Sequence, residues 1–168
     1  FALKAGLYLV ATPIGNREDI SMRALDVLKK VDVIACEDTR HSSQLLSVFG
    51  IKKKLISLNQ HNEQEKAKII ASIIKDKKSV AYVSDAGTPA ISDPGALLVD
   101  HIHNLSLDIF PIPGPSALIT AFSVAGFQTT HFQFYGFLPN TSGKCKKALQ
   151  KIYNSDMVCI LYESPHRI

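Results

Sequence analysis

Short apolar runs alternate along the chain with longer segments whose apolar positions recur at helical spacing. The runs 7-LYLVA-11, 31-VDVIA-35, 54-KLISL-58, 79-SVAYV-83 and 107-LDIFPI-112 are short and rich in β-branched and other apolar residues, and they predict buried strands. Between them 19-DISMRALDVLKK-30, 39-TRHSSQLLSVFG-50, 63-EQEKAKIIASIIKDKK-78 and 94-PGALLVDHIHNL-105 predict helices. Gly50 is placed to close the second of these, and Pro94 to open the fourth within its first turn. Strand and helix in strict alternation predict an α/β fold: a mostly parallel sheet covered on both faces. A fifth helical segment, 115-PSALITAFSVAG-126, carries small residues along its length and is expected to pack closely on its neighbours.

Beyond Gly126 the texture changes. The segment 131-HFQFYGFL-138 is aromatic and strand-like, 139-PNTSGKCKK-147 is a basic loop or helix start, and 157-MVCILYE-163 predicts another buried strand. This divides the chain into an N-terminal α/β domain, 1–122, holding most of the ligand loops, and the opening of a second α/β domain, 123–168. The last residues, 164-SPHRI-168, fall where a further helix is expected to begin, so the second domain is expected to be incomplete.

In an open parallel sheet, ligands bind beyond the carboxyl ends of the strands. The five loops at that edge are 12-TPIGN-16, 37-EDTRHS-42, 59-NQHNE-63, 84-SDAGTPAISDPG-95 and 113-PGPSA-117, and every one is polar, rich in Gly and Pro, or both. Glycine lets backbone approach a ligand and proline holds the loop in one shape, so the contacts offered are largely main-chain N–H and C=O. A ligand with an adenine and an amino-acid end suits such a surface. The dinucleotide fingerprint GxGxxG and the phosphate loop GxxxxGK[ST] are both absent.

The 168 residues, 46% of them apolar and 20% charged, suffice for a sizeable core. No stretch approaches the roughly 18–20 continuous apolar residues of a membrane span, and the first residues lack the pattern of a cleavable signal. Cys36, Cys145 and Cys159 are few and scattered, which suggests neither a disulfide framework nor a metal site and fits a reducing cytoplasm. The formal net charge of +4 is compatible with an anionic partner such as RNA without requiring one.

The set 9-LVATPIGNREDIS-21, 34-IACEDTRHS-42, 61-HNE-63, 84-SDAGTPAISDPG-95, 111-PIPGPSA-117, 135-YGFLP-139 and 162-YESPHR-167 resembles the tetrapyrrole-methylase superfamily over the whole chain and in the right order. Within it, the resemblance is to the branch that methylates the ribose 2′-hydroxyl of a cytidine in the decoding region of small-subunit ribosomal RNA. It implies a two-domain α/β methyltransferase, usually a homodimer, that binds S-adenosylmethionine. Carried over, the cofactor contacts fall on Pro13 with Gly15 beside it, on Ala86, Gly87, Thr88 and Ile91, on Ser116 and Ala117, and on backbone near Glu163. The departures from the tetrapyrrole-modifying branch are TPIGN in the first loop and Thr88-Pro89 in the fourth, and they favour RNA over a porphyrin-like substrate. A methylase of small tetrapyrroles and a non-enzymatic RNA-binding module are the alternatives.

Methyl transfer from a sulfonium to a hydroxyl needs in-line alignment and a proton acceptor. Asp85, Glu37, Asp38 and His61 are the candidates for the acceptor, and none stands out. Asp85 and Asp93 serve equally well as helix caps or turn braces. Arg40 and His41, in a cleft loop, are candidates for RNA contact, although Arg40 also suits a pairing with Glu37 or Asp38. Ser116 lies in GPSAL, which is not the GxSxG of a hydrolase nucleophile. The clusters Lys52–Lys54 and Lys144, Lys146 and Lys147 read first as solvated charge, with phosphate contact as the alternative.

Overall fold

A computed structural model describes residues 2–168, which form two compact units divided between Ser116 and Ala117. The first unit runs β1 (Gly6–Val10), α1 (Met22–Lys30), β2 (Val33–Cys36), α2 (Thr39–Val48), β3 (Leu55–Ser57), α3 (Glu63–Lys75), β4 (Ser79–Val83), α4 (Ala96–Asn104) and β5 (Ile109–Ile112). Its five strands form one sheet in the order β3-β2-β4-β1-β5, every pair parallel, with Tyr8 beside Ala81 and Phe110, and Ile34 beside Ala81 and Leu55.

Side chains alternate across the sheet as strand geometry requires. In β2, Ile34 and Cys36 join a core with Ala24, Val27 and Leu28 of α1 and Leu46 of α2. Val33 and Ala35 join the opposite core with Ala67, Ile70 and Ile74 of α3 and Leu98 and Ile102 of α4. The sheet is thus covered on both faces, and the near-continuous apolar runs of β2 and β4 are the consequence. β4 occupies the five positions expected of it, whereas β2 starts later than the apolar pattern suggests. Val31 still belongs to the end of α1, its N–H donating to Val27 O at 2.9 Å, and Asp32 turns its carboxylate to the Ser79 N–H at 2.8 Å.

The fourth helix begins at Ala96, not at Pro94. Gly95 stands before it with φ at +134°, outside the helical region, and its N–H is taken by a side chain from another element.

The second unit holds α5 (Ala117–Ala125), β6 (Phe132–Phe137), α6 (Ser142–Tyr153) and β7 (Val158–Tyr162), with β6 and β7 parallel. The division falls several residues before the boundary at 122 expected from composition, because α5 packs on β7: Leu118 is buried, and its N–H donates to Tyr162 Oη at 3.0 Å. Along α5, Leu118 is buried while Ile119 and Val124 are exposed. The register of β6 slips between Phe134 and Gly136, and Gly136 has φ at +80°, a region that favours glycine. No described helix is long and apolar enough to cross a membrane.

Candidate functional site

β1 and β4 are neighbours in the sheet, yet the helices that follow them, α1 and α4, pack on opposite faces. The chain therefore diverges beyond their carboxyl ends and leaves a crevice there, as open α/β sheets do at a change of winding direction. A cleft of about 300 Å³ occupies this place, lined from the β1 loop by Pro13, Ile14, Gly15 and Arg17, from α2 by His41, Gln44 and Leu45, and from the β4 loop by Asp85 and Ala86. Its volume is at the lower end of the range of small-molecule sites.

The β4 loop, 84–95, is tied to each of the other four loops of this edge. Thr12 and Gly87 exchange both backbone hydrogen bonds at 3.0 Å, joining it to the β1 loop. Thr88 Oγ1 donates to Pro115 O at 2.9 Å, joining it to the β5 loop. The Asp38 N–H donates to Asp85 Oδ1 at 3.3 Å, and His41 Nε2 lies 2.8 Å from Asp85 O, joining it to the β2 loop and α2. A carbonyl accepts only, so this contact requires the proton on Nε2 of His41. From the β3 side, Glu63 Oε1 accepts from the N–H groups of Gly95 at 2.8 Å and Leu98 at 3.1 Å.

Glycine is needed where these loops close on one another. Gly87 has φ at +77°, and a Cβ there would lie 3.2 Å from Ile14 Cγ2; at Gly114 a Cβ would lie 2.9 Å from the Ala11 methyl. At Gly15 a Cβ would meet nothing within 4 Å, so that glycine leaves the cleft wall open.

The cleft gathers Pro13, Gly15, His41, Asp85 and Ala86 of the residues expected from sequence. Gly87 is buried and Thr88 half-buried, both engaged in holding loops together, while Ile91 is exposed and Ser116 half-buried at the end of the β5 loop. Asp38 caps α2 through the Arg40 N–H at 2.9 Å, and this bond draws its carboxyl below the usual range. Arg40 pairs with Asp38 at 3.7 Å from an almost fully exposed position. His61 lies exposed on the β3 loop, 3.4 Å from Gln60 Nε2, and is not among the cleft residues. In the second unit Ala117 opens α5, and the Glu163 carboxylate accepts from the Ser164 N–H at 2.7 Å.

Acidic groups crowd the same edge. Burial first, then the charges of Asp85, Asp93 and Asp38, push the Glu37 carboxyl up to about 7. Burial and Asp85 raise Asp93 as well. Beneath them Tyr82 is fully buried and donates its hydroxyl to Pro94 O at 2.7 Å; burial and the surrounding carboxylates hold the phenol far above its usual range.

Glu63 and Tyr82 were not legible as site residues. Tyr82 sits inside an ordinary strand run, and Glu63 reads as a first-turn helix acid. The one signal for Glu63 is the HNE triplet in a loop of the ligand edge, where Asn59 and Asn62 brace the turn: the Asn59 N–H donates to Asn62 Oδ1 at 2.8 Å, and Asn62 Nδ2 donates to Ser57 O at 3.2 Å. Asp93, a candidate cap for the fourth helix, leaves that task to Glu63. Among the described residues no group of three or more His, Cys, Asp or Glu converges to hold a metal.

Comparison with known proteins matches this architecture. The chain is 51% identical over 162 residues to the ribosomal RNA small subunit methyltransferase I of Vibrio cholerae, covering 96% of this chain and 56% of that one. It is 48% identical to the protein of the same name from Escherichia coli O157:H7, covering 96% and 57%. The chain thus spans little more than half the length of these curated relatives. Among solved structures, uroporphyrin-III-C-methyltransferase from Thermus thermophilus superposes with a TM-score of 0.63 at 19% identity over 88% of this chain and 74% of that one. A diphthine synthase superposes with a TM-score of 0.67 at 18% identity over 95% and 65%. These two show a shared fold. The sequence profile of the tetrapyrrole (corrin/porphyrin) methylases matches residues 6–168. The chain belongs to the family of tetrapyrrole (corrin/porphyrin) methylases.

Proposed function

We propose that the protein is an S-adenosylmethionine-dependent methyltransferase that modifies the ribose 2′-hydroxyl of a cytidine in small-subunit ribosomal RNA, acting as a homodimer in the cytoplasm. The observation that carries this reading is the identity of about half of all positions, over 96% of the chain, with relatives named for that ribosomal RNA. The likeness to the uroporphyrin enzyme, at 19% identity, extends to the fold alone and does not favour a tetrapyrrole substrate.

The lining of the cleft supports a cofactor site there. Its walls combine Pro13, Gly15 and Ala86 with the apolar Ile14 and Leu45 and the polar Arg17, His41, Gln44 and Asp85, a mixture suited to a flat base and a charged amino-acid end. Pro13, Gly15, Ala86, Gly87, Thr88, Ile91 and Ser116 of the first unit, with Ala117 and Glu163 of the second, are the proposed cofactor positions. Bound S-adenosylmethionine supplies an electrophilic methyl group. The chain then has to orient the ribose hydroxyl and accept its proton. Of the four candidate acceptors, Asp85 alone lines the cleft; Asp38 is engaged in a backbone cap, His61 and Glu37 are not among the cleft residues, and Glu37 lies near enough to Asp85 to feel its charge. A carboxyl held near 7 changes protonation state close to neutral pH, which suits a proton acceptor. Arg40 and His41 are the proposed RNA contacts.

The test is transfer of a tritiated methyl group from S-adenosylmethionine, by the full-length protein, to small ribosomal subunits lacking the modification. Labelled 2′-O-methylcytidine in the digested RNA is the expected product. Labelling of a porphyrin precursor instead would overturn the reading, as would failure to bind S-adenosylmethionine in calorimetry.

A further inference from the structure

The geometry points to the exposed face of α6 as a docking surface for single-stranded RNA, with Lys146, Lys147 and Lys151 meeting phosphates and Tyr153 stacking on an unpaired base. This rests on the RNA reading above and adds a second, separate contact surface to it. At about 100° per residue, the packed side of α6 is marked by buried Ala148 and half-buried Cys145 and Ile152. Lys146, Gln150 and Tyr153 fall on the opposite side and Lys147 and Lys151 along one flank, while Lys144 lies nearer the packed side, all of them exposed.

Three features separate this face from ordinary solvated charge. The first is its single sign: α6 has four lysines and no carboxylate, whereas α3 mixes Glu63 and Glu65 with Lys66, Lys68 and Lys75, and α1 pairs Lys30 with Asp26 at 2.9 Å. The whole second unit has five Lys and Arg against Asp156 and Glu163, which accounts for +3 of the formal +4 charge.

The second is that the first turn of the helix works against its own electrostatics, while Lys151 in the last turn complements the dipole. Lys144 lies in the first turn, where the helix dipole disfavours cations, no acid offsets it, and Lys147 and Lys151 are like charges four residues apart. Sequence choices that oppose local stability concentrate where a partner rewards them. The third is Tyr153, a residue 84% exposed that lies two turns beyond Lys146 on the same side of the helix. Phosphate neutralisation beside an aromatic platform is how proteins hold unpaired RNA, so the chemistry commits to a single-stranded segment rather than a duplex.

The experiment compares the full-length protein with K146E/K147E/K151E, Y153A and Y153F in two assays: binding to naked small-subunit ribosomal RNA across a salt series, and methyl transfer to the small subunit. Calorimetric binding of S-adenosylmethionine serves as the control for folding. The expected results are a rise of about tenfold or more in the RNA dissociation constant and KM for the triple variant, and a salt slope shallower by about 0.7 for each phosphate that is no longer neutralised. Y153A should weaken RNA binding about tenfold and Y153F far less, because a phenyl ring still stacks. RNA affinity and salt slope equal to wild type in every variant would overturn the proposal. So would loss of binding to the assembled subunit with naked RNA unaffected, which would make α6 a protein-docking face. If wild type transfers no methyl group to RNA, the functional reading fails, while the RNA-binding series still decides the role of α6.

Discussion

Replacing Glu63 tests whether a buried carboxylate from one loop holds the trailing end of the 84–95 loop in place. Glu63 is 6% exposed, and its Oε1 accepts from the N–H of Gly95, the residue that precedes α4, and from that of Leu98 in its first turn, both buried residues. Hydrogen bonds to a charged group contribute about 1.5–3 kcal/mol each. Both bonds here share one oxygen, so their sum overstates the total. Glu63→Ala leaves two N–H groups without an acceptor, for an expected loss of about 3 kcal/mol. Glu63→Gln keeps a carbonyl oxygen in place without the charge, and neutral hydrogen bonds are roughly half as strong, so its loss should be nearer 1 kcal/mol. Urea unfolding followed by circular dichroism reads both; at about 1–3 kcal/mol per molar, the alanine variant should lose at least 1 M in midpoint. Affinity for S-adenosylmethionine should fall in Glu63→Ala and recover in Glu63→Gln, since the loop end is restored with the acceptor. Equal midpoints for the two variants, or a loss under about 0.5 kcal/mol for alanine, would refute the trans-capping account.

Three further outcomes follow from the same edge of the sheet. The Glu37 carboxyl, raised from 4.5 to about 7, binds its proton more tightly in the folded state; its contribution to stability is complete below about 4.5 and is lost as pH rises through 7. Glu37→Gln should therefore flatten the decline in stability between those values and remove a titration near 7 seen by carboxyl-carbon NMR; an unchanged pH profile would count against the assignment. Gly87→Ala forces an L side chain to φ +77° against Ile14, so thermal unfolding should report a loss of about 1–2 kcal/mol together with weaker cofactor binding. Ala90 already occupies φ +66°, and Ala90→Gly should relieve about 1–2 kcal/mol of strain against about 0.4–1 kcal/mol of added chain entropy; a lower denaturation midpoint would show instead that the Ala90 methyl supports the loop.

Much of the scaffold could be read directly along the chain. The run 79–83 is β4 residue for residue, because a strand buried on both faces is apolar wherever no partner awaits a polar group; here Ser79 meets Asp32 and the Tyr82 hydroxyl meets Pro94 O. The five polar loops fall at one edge because parallel strands alternating with helices leave no other place for them. Boundaries set by hydrogen bonds were less legible: Val31 looks like strand but closes α1, and α4 waits for Gly95 because a distant carboxylate, rather than Asp93, accepts its first N–H groups.

Residues whose roles depend on partners far along the chain carry no local signature. Glu63 meets Gly95 across 32 positions, Asp38 meets Asp85 across 47, and Tyr82 reaches Pro94 from inside a strand. The cleft itself depends on α1 and α4 leaving neighbouring strands toward opposite faces, which strand order decides and local pattern does not. Local preference is written in neighbouring residues and their period, so the alternation of strand and helix is determined there. A cleft walled by the β1 loop, α2 and the β4 loop is determined only when packing brings those segments to the same edge, and that is where tertiary structure made Asp38 a cap of its own helix and Glu63 a cap of another.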